Sequence, residues 1–182
     1  MMKQLQRSLY FLLFVGILNT SVLPLSAQPL KNSKLNEKYV CTPCGQECDE
    51  SLYDKGGKCT VCMMPLIKKS SVRFKDIDPA KLCNYIAEHP GVVLLDVRTK
   101  EEFEGRVKDD YGTLKNGINI PIQQLEKKIK TLNPFKQKEI IVYCSHSHRS
   151  PQAAYILNKN GFNKVINLAG GMSEMKDKRC LK

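Results

Sequence analysis

The sequence predicts an α/β protein, with a parallel sheet and flanking helices, preceded by a small cysteine-rich module. Two observations predict the sheet: continuous apolar runs at residues 92–95 and 140–143, and the alternation of such runs with helical patterns. Runs of this kind are typical of parallel strands covered on both faces, and the alternation indicates crossover helices. A third observation predicts the module: residues 39–66 hold five of the eight cysteines and little apolar content. A segment so poor in core residues needs a staple to fold.

Length and charge narrow the class of protein. The 182 residues are enough for one ordinary domain and a smaller unit. The net charge of +11 suggests anionic partners or substrates, or a membrane surface. The lysines are spread along the chain, however, with no arginine-rich arm and no aromatic RNA-binding motif among them. We therefore interpret the charge as a solvated surface and expect no nucleic-acid partner.

Residues 1–27 are predicted to be a signal peptide. A basic start is followed by a ten-residue apolar run at residues 9–18, and small residues then lead to a cleavage point after Ala27. The mature protein is therefore expected to be exported, either periplasmic or secreted. The alternative is an uncleaved membrane anchor through residues 8–30, which is the one case that would make a membrane a partner.

Residues 28–38 are polar and predict a linker, and residues 39–69 predict a metal-binding ribbon. The ribbon contains two C-x-x-C pairs separated by fourteen residues. Two such pairs on two turns bring four thiolates together, as tetrahedral zinc requires, so we predict a structural zinc ion. The predicted ligands are Cys41, Cys44, Cys59 and Cys62.

Two other interpretations of this cysteine cluster are possible: disulfides in place of a metal ion, and copper(I) in place of zinc. The four thiols are alternatively two structural disulfides, and soft thiolates with Met63 and Met64 also suit copper(I). Cys48 is a fifth thiol, either a ligand in an alternative set, a disulfide partner or a spare. The segment resembles small zinc-ribbon or heavy-metal-binding modules of exported bacterial proteins, in which a glycine usually follows the last cysteine. Met63 replaces that glycine here, while Met64 and Leu66 match.

The remaining residues, 70–182, predict alternating strands and helices. Pro79 and Pro151 each suit the first turn of a helix, and Gly161 suits a helix end. The threonine, lysine and two glutamates at residues 99–102 predict a capped helix start. The predicted strands are residues 72–77, 92–95, 118–121, 140–143 and 165–168, and the predicted helices are residues 78–88, 122–132 and 149–160 with a further helix from Thr99.

Four segments of this domain resemble, in order, signatures of the rhodanese superfamily. Residues 95–103 resemble its "DVR…EF" segment, and residues 117–121 resemble its "AxNIP" strand with Gly117 for the alanine. Residues 142–150 resemble its active-site loop, and residues 161–171 its closing double-glycine pattern. The resemblance covers about 110 residues. It implies a small anionic sulfur donor such as thiosulfate, a cysteine persulfide, and a thiol or protein as the sulfur acceptor.

The residues themselves agree with that implied chemistry. Cys144 ends a predicted buried strand, and the next helix begins a few residues later, so the helix N-terminus favours a thiolate and then a persulfide anion. Arg149 adds a planar fork that suits an oxyanion. Cys144 and Arg149 are the predicted catalytic pair. The other predicted loop or substrate-binding residues are Ser145, His146, Ser147, His148, Ser150, Asp96 and Arg98.

Loop length separates sulfur from phosphate chemistry. Cysteine phosphatases related to this fold have five residues between cysteine and arginine, and this chain has four. Ser147 stands where the family often has a glycine, so a different loop shape is expected. His146 and His148 either assist proton transfer, lower the thiol pKa or bind metal, or simply face solvent; we favour the solvent-facing interpretation.

Three further side chains have simpler expected roles. We expect Asp96 to cap and orient the active-site loop rather than react. Cys83 is expected to lie buried on the first helix of the domain. Cys180, in a basic tail, is expected to be an exposed thiol, with a resolving thiol as the alternative.

The sequence thus predicts an exported sulfurtransferase with an N-terminal metal ribbon, in which Cys144 carries sulfane sulfur from donor to acceptor. The alternative belongs to another class: a non-catalytic or redox-sensing metal-handling protein that uses the α/β domain for docking.

Overall fold

The computed structural model describes residues 37–182. The predicted signal peptide and all but the last two linker residues lie outside this range, so cleavage after Ala27 and the alternative anchor stay predictions. No helix within the described range is both long enough and apolar enough to cross a bilayer.

The cysteine-rich module is a two-stranded ribbon. Strand β1 (Tyr39–Cys41) pairs antiparallel with β2 (Leu66–Lys68), and a short 3-10 helix (Glu47–Glu50) lies between them in sequence. The buried centre of the ribbon consists of cysteines rather than branched aliphatic side chains. This composition agrees with the expectation that the module needs a staple.

The larger unit is a five-stranded parallel sheet flanked by helices, which confirms the predicted fold class. The strand order is β3-β7-β6-β4-β5, and each neighbouring pair is parallel. The strands are β3 (Lys75–Ile77), β4 (Val93–Asp96), β5 (Ile118–Asn119), β6 (Ile140–Tyr143) and β7 (Val165–Leu168). The helices are α1 (Pro79–Glu88), α2 (Lys100–Phe103), α3 (Ile122–Lys128) and α4 (Arg149–Lys159).

The predicted boundaries differ from these mainly at the edges of the sheet. The apolar runs at β6 and β7 give the predicted bounds, because burial on both faces makes the pattern continuous. The first strand starts at Lys75 rather than residue 72, since the Arg73 N–H is already bonded to the Asn158 side chain of α4. Helix α3 ends at Lys128 rather than at the predicted residue 132, and 3-10 turns follow it (Ile129–Phe135). These turns contain Pro134, which has no N–H to donate.

Apolar side chains fill both faces of the sheet. One layer lies between the sheet and helices α3 and α4, and includes Leu125, Leu157 and Phe162. The other lies beneath α1 and the C-terminal segment, and includes Leu82 and Met172. Strand β6 is in the middle of the sheet, so the residue after it emerges at the centre of the carboxyl edge, where open α/β sheets place their sites.

Candidate active site and candidate metal centre

Cys144 directly follows β6 and is almost fully enclosed. It is 1% exposed, and its Sγ lies 3.4 Å from the Ser150 Oγ. The chain beyond β7 closes over it, with the Met172 N–H donating to the Cys144 carbonyl at 2.9 Å. Gly171 permits this approach, because a Cβ there would lie 2.7 Å from the Cys144 carbonyl oxygen. Packing and hydrogen bonds therefore hold the thiol in one place.

The loop of residues 145–148 bends between β6 and α4. Within residues 37–182, the backbone N–H groups of this loop have no hydrogen-bond acceptor. His148, the residue that precedes α4, makes no side-chain cap. Free N–H groups in a bend that leads into a helix N-terminus form a concave positive surface. Such a surface can bind a small anion.

Ser147 adopts a backbone conformation that serine seldom takes. Its φ is 57°, in the left-handed region, and this explains why the family often has a glycine at this position. The Ser147 Oγ accepts a hydrogen bond from the Asn167 Nδ2 at 3.2 Å. That Nδ2 also donates to Asp76 at 2.7 Å, so β7 ties the loop to β3.

Arg149 is paired with Glu102, a residue that the sequence predicts at a helix start and in the "DVR…EF" segment but not among the site residues. Two guanidinium nitrogens of Arg149 each donate to a different Glu102 oxygen at 2.7 Å, and the Ser145 hydroxyl donates to the same carboxylate at 2.7 Å. The Arg149 hydrogen bond holds the pKa of Glu102 far below its usual range, and Glu102 in turn raises the pKa of Arg149. The charge of Arg149 is therefore compensated within the protein.

Helix α2 fixes the position of that carboxylate. The Thr99 hydroxyl accepts from the Glu102 N–H, and the Glu102 side chain accepts from the Thr99 N–H at 2.9 Å. This capping box is the one the sequence predicted. The capping pattern alone does not reveal Glu102 as a site residue, because its partner Arg149, at the start of α4, is 47 positions away in sequence.

Asp96 and Arg98 form a fully buried pair that supports a different segment. Asp96 accepts from the Arg98 guanidinium at 2.7 Å and from the Arg98 N–H at 2.9 Å. Arg98 in turn donates to the Gly112 carbonyl and the Thr113 hydroxyl. The expected role of Asp96 needs correction: its carboxylate is engaged by Arg98, and the pair orients residues 112–113 rather than the Cys144 loop.

A cavity of about 310 Å³ opens beside Arg149. His146 is exposed at its rim, where its Nε2 lies 3.1 Å from the Tyr111 hydroxyl. His148 is also exposed, which agrees with the solvent-facing interpretation of both histidines. The residues lining the cavity are Glu102, Val107, Lys108, Asp109, Tyr111, Ser145, His146 and Arg149.

The ribbon cysteines gather in one cluster, and all five are free thiols. The sulfur atoms of four of them lie within 4.8 Å of one another, and these four include Cys48 but not Cys59. Cys59 is buried beside this group, where its sulfur accepts from the Val61 N–H at 3.4 Å. The geometry therefore differs from the predicted ligand set at one position. The four gathered residues are Cys41, Cys44, Cys48 and Cys62.

Spacing and chemistry both fit a metal ion. Four sulfurs about 2.3 Å from a tetrahedral zinc lie about 3.8 Å apart. The observed separations are 3.1 Å for Cys41–Cys62 and 3.6 Å for Cys44–Cys48. Burial raises the pKa of Cys44 to about 12 and also raises that of Cys41, so these thiols need a nearby cation to ionise. A bound ion would supply that charge and cross-link the ribbon.

The remaining two cysteines form a disulfide. Cys83 lies on α1 and is 6% exposed, as expected, but it is bonded to Cys180 of the C-terminal tail. The expectation that Cys180 is an exposed free thiol is therefore wrong. The two cysteines are 97 positions apart, which is the reason that the sequence pattern did not reveal the pair.

The order and chemistry of these elements match a known family. Residues 78–178, more than half of the chain, match the sequence profile of the rhodanese-like domain. The chain belongs to the rhodanese-like family. The family match covers β4 to β7 with their helices, so it includes Cys144, Arg149 and Glu102, whereas the cysteine ribbon lies outside it.

Curated relatives match the chain over about half of its length. The tRNA uridine(34) hydroxylase of Cronobacter sakazakii is 30% identical over 95 residues, which is 50% of this chain and 26% of that protein. The protein of the same name from Salmonella agona is 32% identical, again over 95 residues and 25% of its length. The aligned segment therefore spans about a quarter of those relatives.

Solved structures show the same rhodanese-like fold. A rhodanese-like domain protein from Staphylococcus aureus is 28% identical, with a TM-score of 0.50 over 60% of this chain and 97% of that one. A Staphylococcus saprophyticus protein is 25% identical, with a TM-score of 0.50 over 60% of this chain and 99% of that one. The match covers nearly all of each of these two proteins, so about 40% of this chain has no counterpart in them.

Proposed function

We propose that this rhodanese-like protein is an exported sulfurtransferase, which moves sulfane sulfur from a small anionic donor to a thiol or protein acceptor through a persulfide on Cys144. The observation that carries the proposal is the placement of Cys144 at the centre of the sheet edge, next to a loop whose backbone N–H groups are free. Those groups favour the anionic sulfur at both stages of the reaction.

The proposed transfer has two steps. The Cys144 thiolate attacks the outer sulfur of thiosulfate, so a new S–S bond forms at Cys144 while the S–S bond of the donor breaks and sulfite leaves with the electron pair. An acceptor thiolate then attacks the outer sulfur of the persulfide, and Cys144 leaves again as a thiolate. No net oxidation or reduction is required, and each step exchanges one anionic sulfur species for another.

Two features support sulfur rather than phosphate as the transferred group. Four residues separate Cys144 from Arg149, one fewer than the related cysteine phosphatases have. Because the pKa of Glu102 is depressed, its carboxylate is ionised near neutral pH and is not a proton donor for a leaving group.

Export and metal binding are parts of the same proposal. The N-terminal pattern of residues 1–27 is that of a signal peptide, and the Cys83–Cys180 disulfide suits an oxidising compartment, periplasmic or extracellular. An anchored form through residues 8–30 is the alternative. We further propose that the ribbon holds a structural zinc ion, with copper(I) as the alternative for a set of soft thiolates.

Intact mass spectrometry tests the central claim. Incubation of the purified protein with thiosulfate should add one sulfur, about 32 Da, as a persulfide. The Cys144→Ser variant should acquire no such adduct. A Cys83→Ser/Cys180→Ser double variant is the matched control and should still acquire it, because those sulfurs are engaged with each other.

A negative result has a definite meaning. If the wild-type protein takes no sulfur from thiosulfate, polysulfide or mercaptopyruvate, the enzyme proposal is wrong. The non-catalytic metal-handling protein, with the rhodanese-like domain as a docking module, would then be the better account.

A further inference from the structure

The cysteine ribbon touches the backbone of the sulfur-carrying loop. A Cβ built on Gly45 would lie 2.1 Å from the Ser147 carbonyl oxygen and 2.6 Å from the His148 Cα. No side chain fits into that space, so only glycine allows the two backbones to approach this closely. The Gly45 φ of +75° also favours glycine.

Gly45 is held by the same turn that carries a cysteine of the metal-binding cluster. One carboxylate oxygen of Asp49 accepts from the Cys44 N–H at 2.8 Å and from the Gly45 N–H at 2.7 Å. The Cys44 sulfur belongs to the cluster of four. The position of Gly45 therefore depends on how the ribbon cysteines are arranged.

The loop on the other side of this contact needs support. Ser147 has a φ of 57°, which disfavours every residue except glycine and, to a lesser degree, asparagine and aspartate. One side-chain hydrogen bond, from Asn167, restrains it from the side of the sheet. Gly45 contacts the carbonyl oxygen of this same residue from the side of the ribbon. Ser147 is thus restrained from both sides in a conformation that it does not favour by itself.

We propose that the ribbon is a positioning module for the sulfurtransferase site, and that Gly45 acts through the Ser147–His148 backbone to hold the loop of residues 145–148 in its shape beside Cys144. The inference rests on the proposed function and deepens it. Its consequence is that a change in the ribbon cluster, such as metal loss, alters sulfur transfer although the cluster takes no part in the chemistry.

The test compares two glycine-to-alanine variants of the full chain, as purified. Gly45→Ala adds a methyl group against the loop. Gly57→Ala is the matched control, since Gly57 also lies in the ribbon at positive φ but a Cβ there has nothing within 4 Å. Gly45→Ala should slow sulfur uptake by about 10- to 100-fold, mainly in kcat, as expected when reacting groups shift by about an ångström. Gly57→Ala should retain the wild-type rate.

A second substitution separates positioning from damage to the ribbon. Ser147→Gly removes the conformational penalty at φ 57°, so the loop should keep its shape without the ribbon. The loss caused by Gly45→Ala should therefore be several-fold smaller in the Ser147→Gly background. Equal losses in both backgrounds would overturn the proposal, because damage to the ribbon alone does not depend on residue 147.

Hydrogen exchange provides a measurement that needs no sulfur chemistry. The Ser173 amide, whose N–H donates to the Ser145 carbonyl of the loop at 2.9 Å, should exchange faster in Gly45→Ala than in wild type or Gly57→Ala. Unchanged exchange would overturn the proposal even if the rate falls. Failure of the wild-type protein to take up sulfur would instead reject the proposed function, and exchange would then decide the loop inference by itself.

A further variant covers the case in which Gly45→Ala loses its metal. Asp49→Ala removes the acceptor that holds the Gly45 N–H but adds no atom at the contact. It should speed the exchange of the Ser173 amide, and this increase should be smaller in the Ser147→Gly background. Wild-type exchange in Asp49→Ala would contradict the inference.

Discussion

Glu102 receives hydrogen bonds from three parts of the chain: Thr99 at the start of its own helix, Ser145 in the loop and Arg149 at the start of α4. A single carboxylate thereby fixes the guanidinium beside the thiol. The loop charge predicted from sequence belongs to an ion pair, so the free backbone N–H groups become the main attraction for an anionic donor.

The low pKa of Glu102 predicts how stability depends on pH. Because Arg149 depresses the folded-state pKa, the stabilisation is complete above the pKa of an unfolded glutamate, about 4.3, and is lost as the pH falls below it. Glu102→Gln should lower the free energy of unfolding by about 1–3 kcal/mol at pH 7, and by less at pH 3. Urea denaturation at both pH values measures this difference.

Glu104→Gln is the control for that measurement. Glu104 is paired with Arg106 at the surface, close to Glu102 in sequence, so its loss should leave the unfolding midpoint nearly unchanged. A Glu102→Gln deficit that stays constant from pH 7 to pH 3 would show that the ion pair is not its source.

At the scale of elements, β4 separates β5 from β6 in the sheet, yet the residue before β5 lies against the last side chain of β6. This contact explains a departure from the family pattern. Gly117 stands where the family has an alanine. A Cβ there would lie 2.6 Å from the hydroxyl oxygen of Tyr143, at the end of β6. This hydroxyl is buried and has no hydrogen-bond partner within residues 37–182. Glycine therefore accommodates the extra oxygen that tyrosine brings into the core.

A double-mutant cycle tests this pairing. Gly117→Ala alone should destabilise the protein by about 1–3 kcal/mol through overpacking. Tyr143→Phe removes a buried hydroxyl without a partner, so it should be neutral or stabilising. In the Tyr143→Phe background, Gly117→Ala should lose most of its effect, as measured by thermal unfolding. Additive effects would mean that the two residues do not compete for space.

For the whole molecule, the C-terminal tail is part of the domain rather than an appendage. Cys180 is bonded to Cys83 of α1, and Leu181 forms a β-bridge with Leu114. The Lys182 N–H donates to the Thr113 carbonyl, next to the segment that Arg98 supports. The disulfide therefore joins positions 97 apart in sequence and closes a loop that includes four of the five strands of the sheet.

Removal of this disulfide should lower stability substantially. Closing a loop of that length restricts the unfolded chain, so Cys83→Ser/Cys180→Ser should reduce the free energy of unfolding by about 2–5 kcal/mol. Denaturant titration measures the loss. Addition of a reductant should destabilise the wild-type rhodanese-like domain and leave that of the double variant unaffected; an equal response of both would show that other cysteines are responsible.

The sequence by itself determined the features that depend on local pattern. Burial on both faces makes β6 and β7 continuous apolar runs, and short-range signals such as the capping box at Thr99 and Pro79 at a helix start set helix boundaries. The four residues between Cys144 and Arg149 mark the candidate active-site loop in the same way. These features can be predicted from the sequence because each is made by residues close together in the chain.

Only the tertiary structure decided which distant residues meet. It placed Cys48 rather than Cys59 in the group of four thiols, and it joined Cys83 to Cys180. It also brought Glu102 to Arg149 and Gly45 to Ser147, across about 47 and 102 positions of sequence. The physical reason is that such contacts depend on how the strands, the ribbon and the tail pack in space, and no periodicity or spacing along the chain encodes that arrangement.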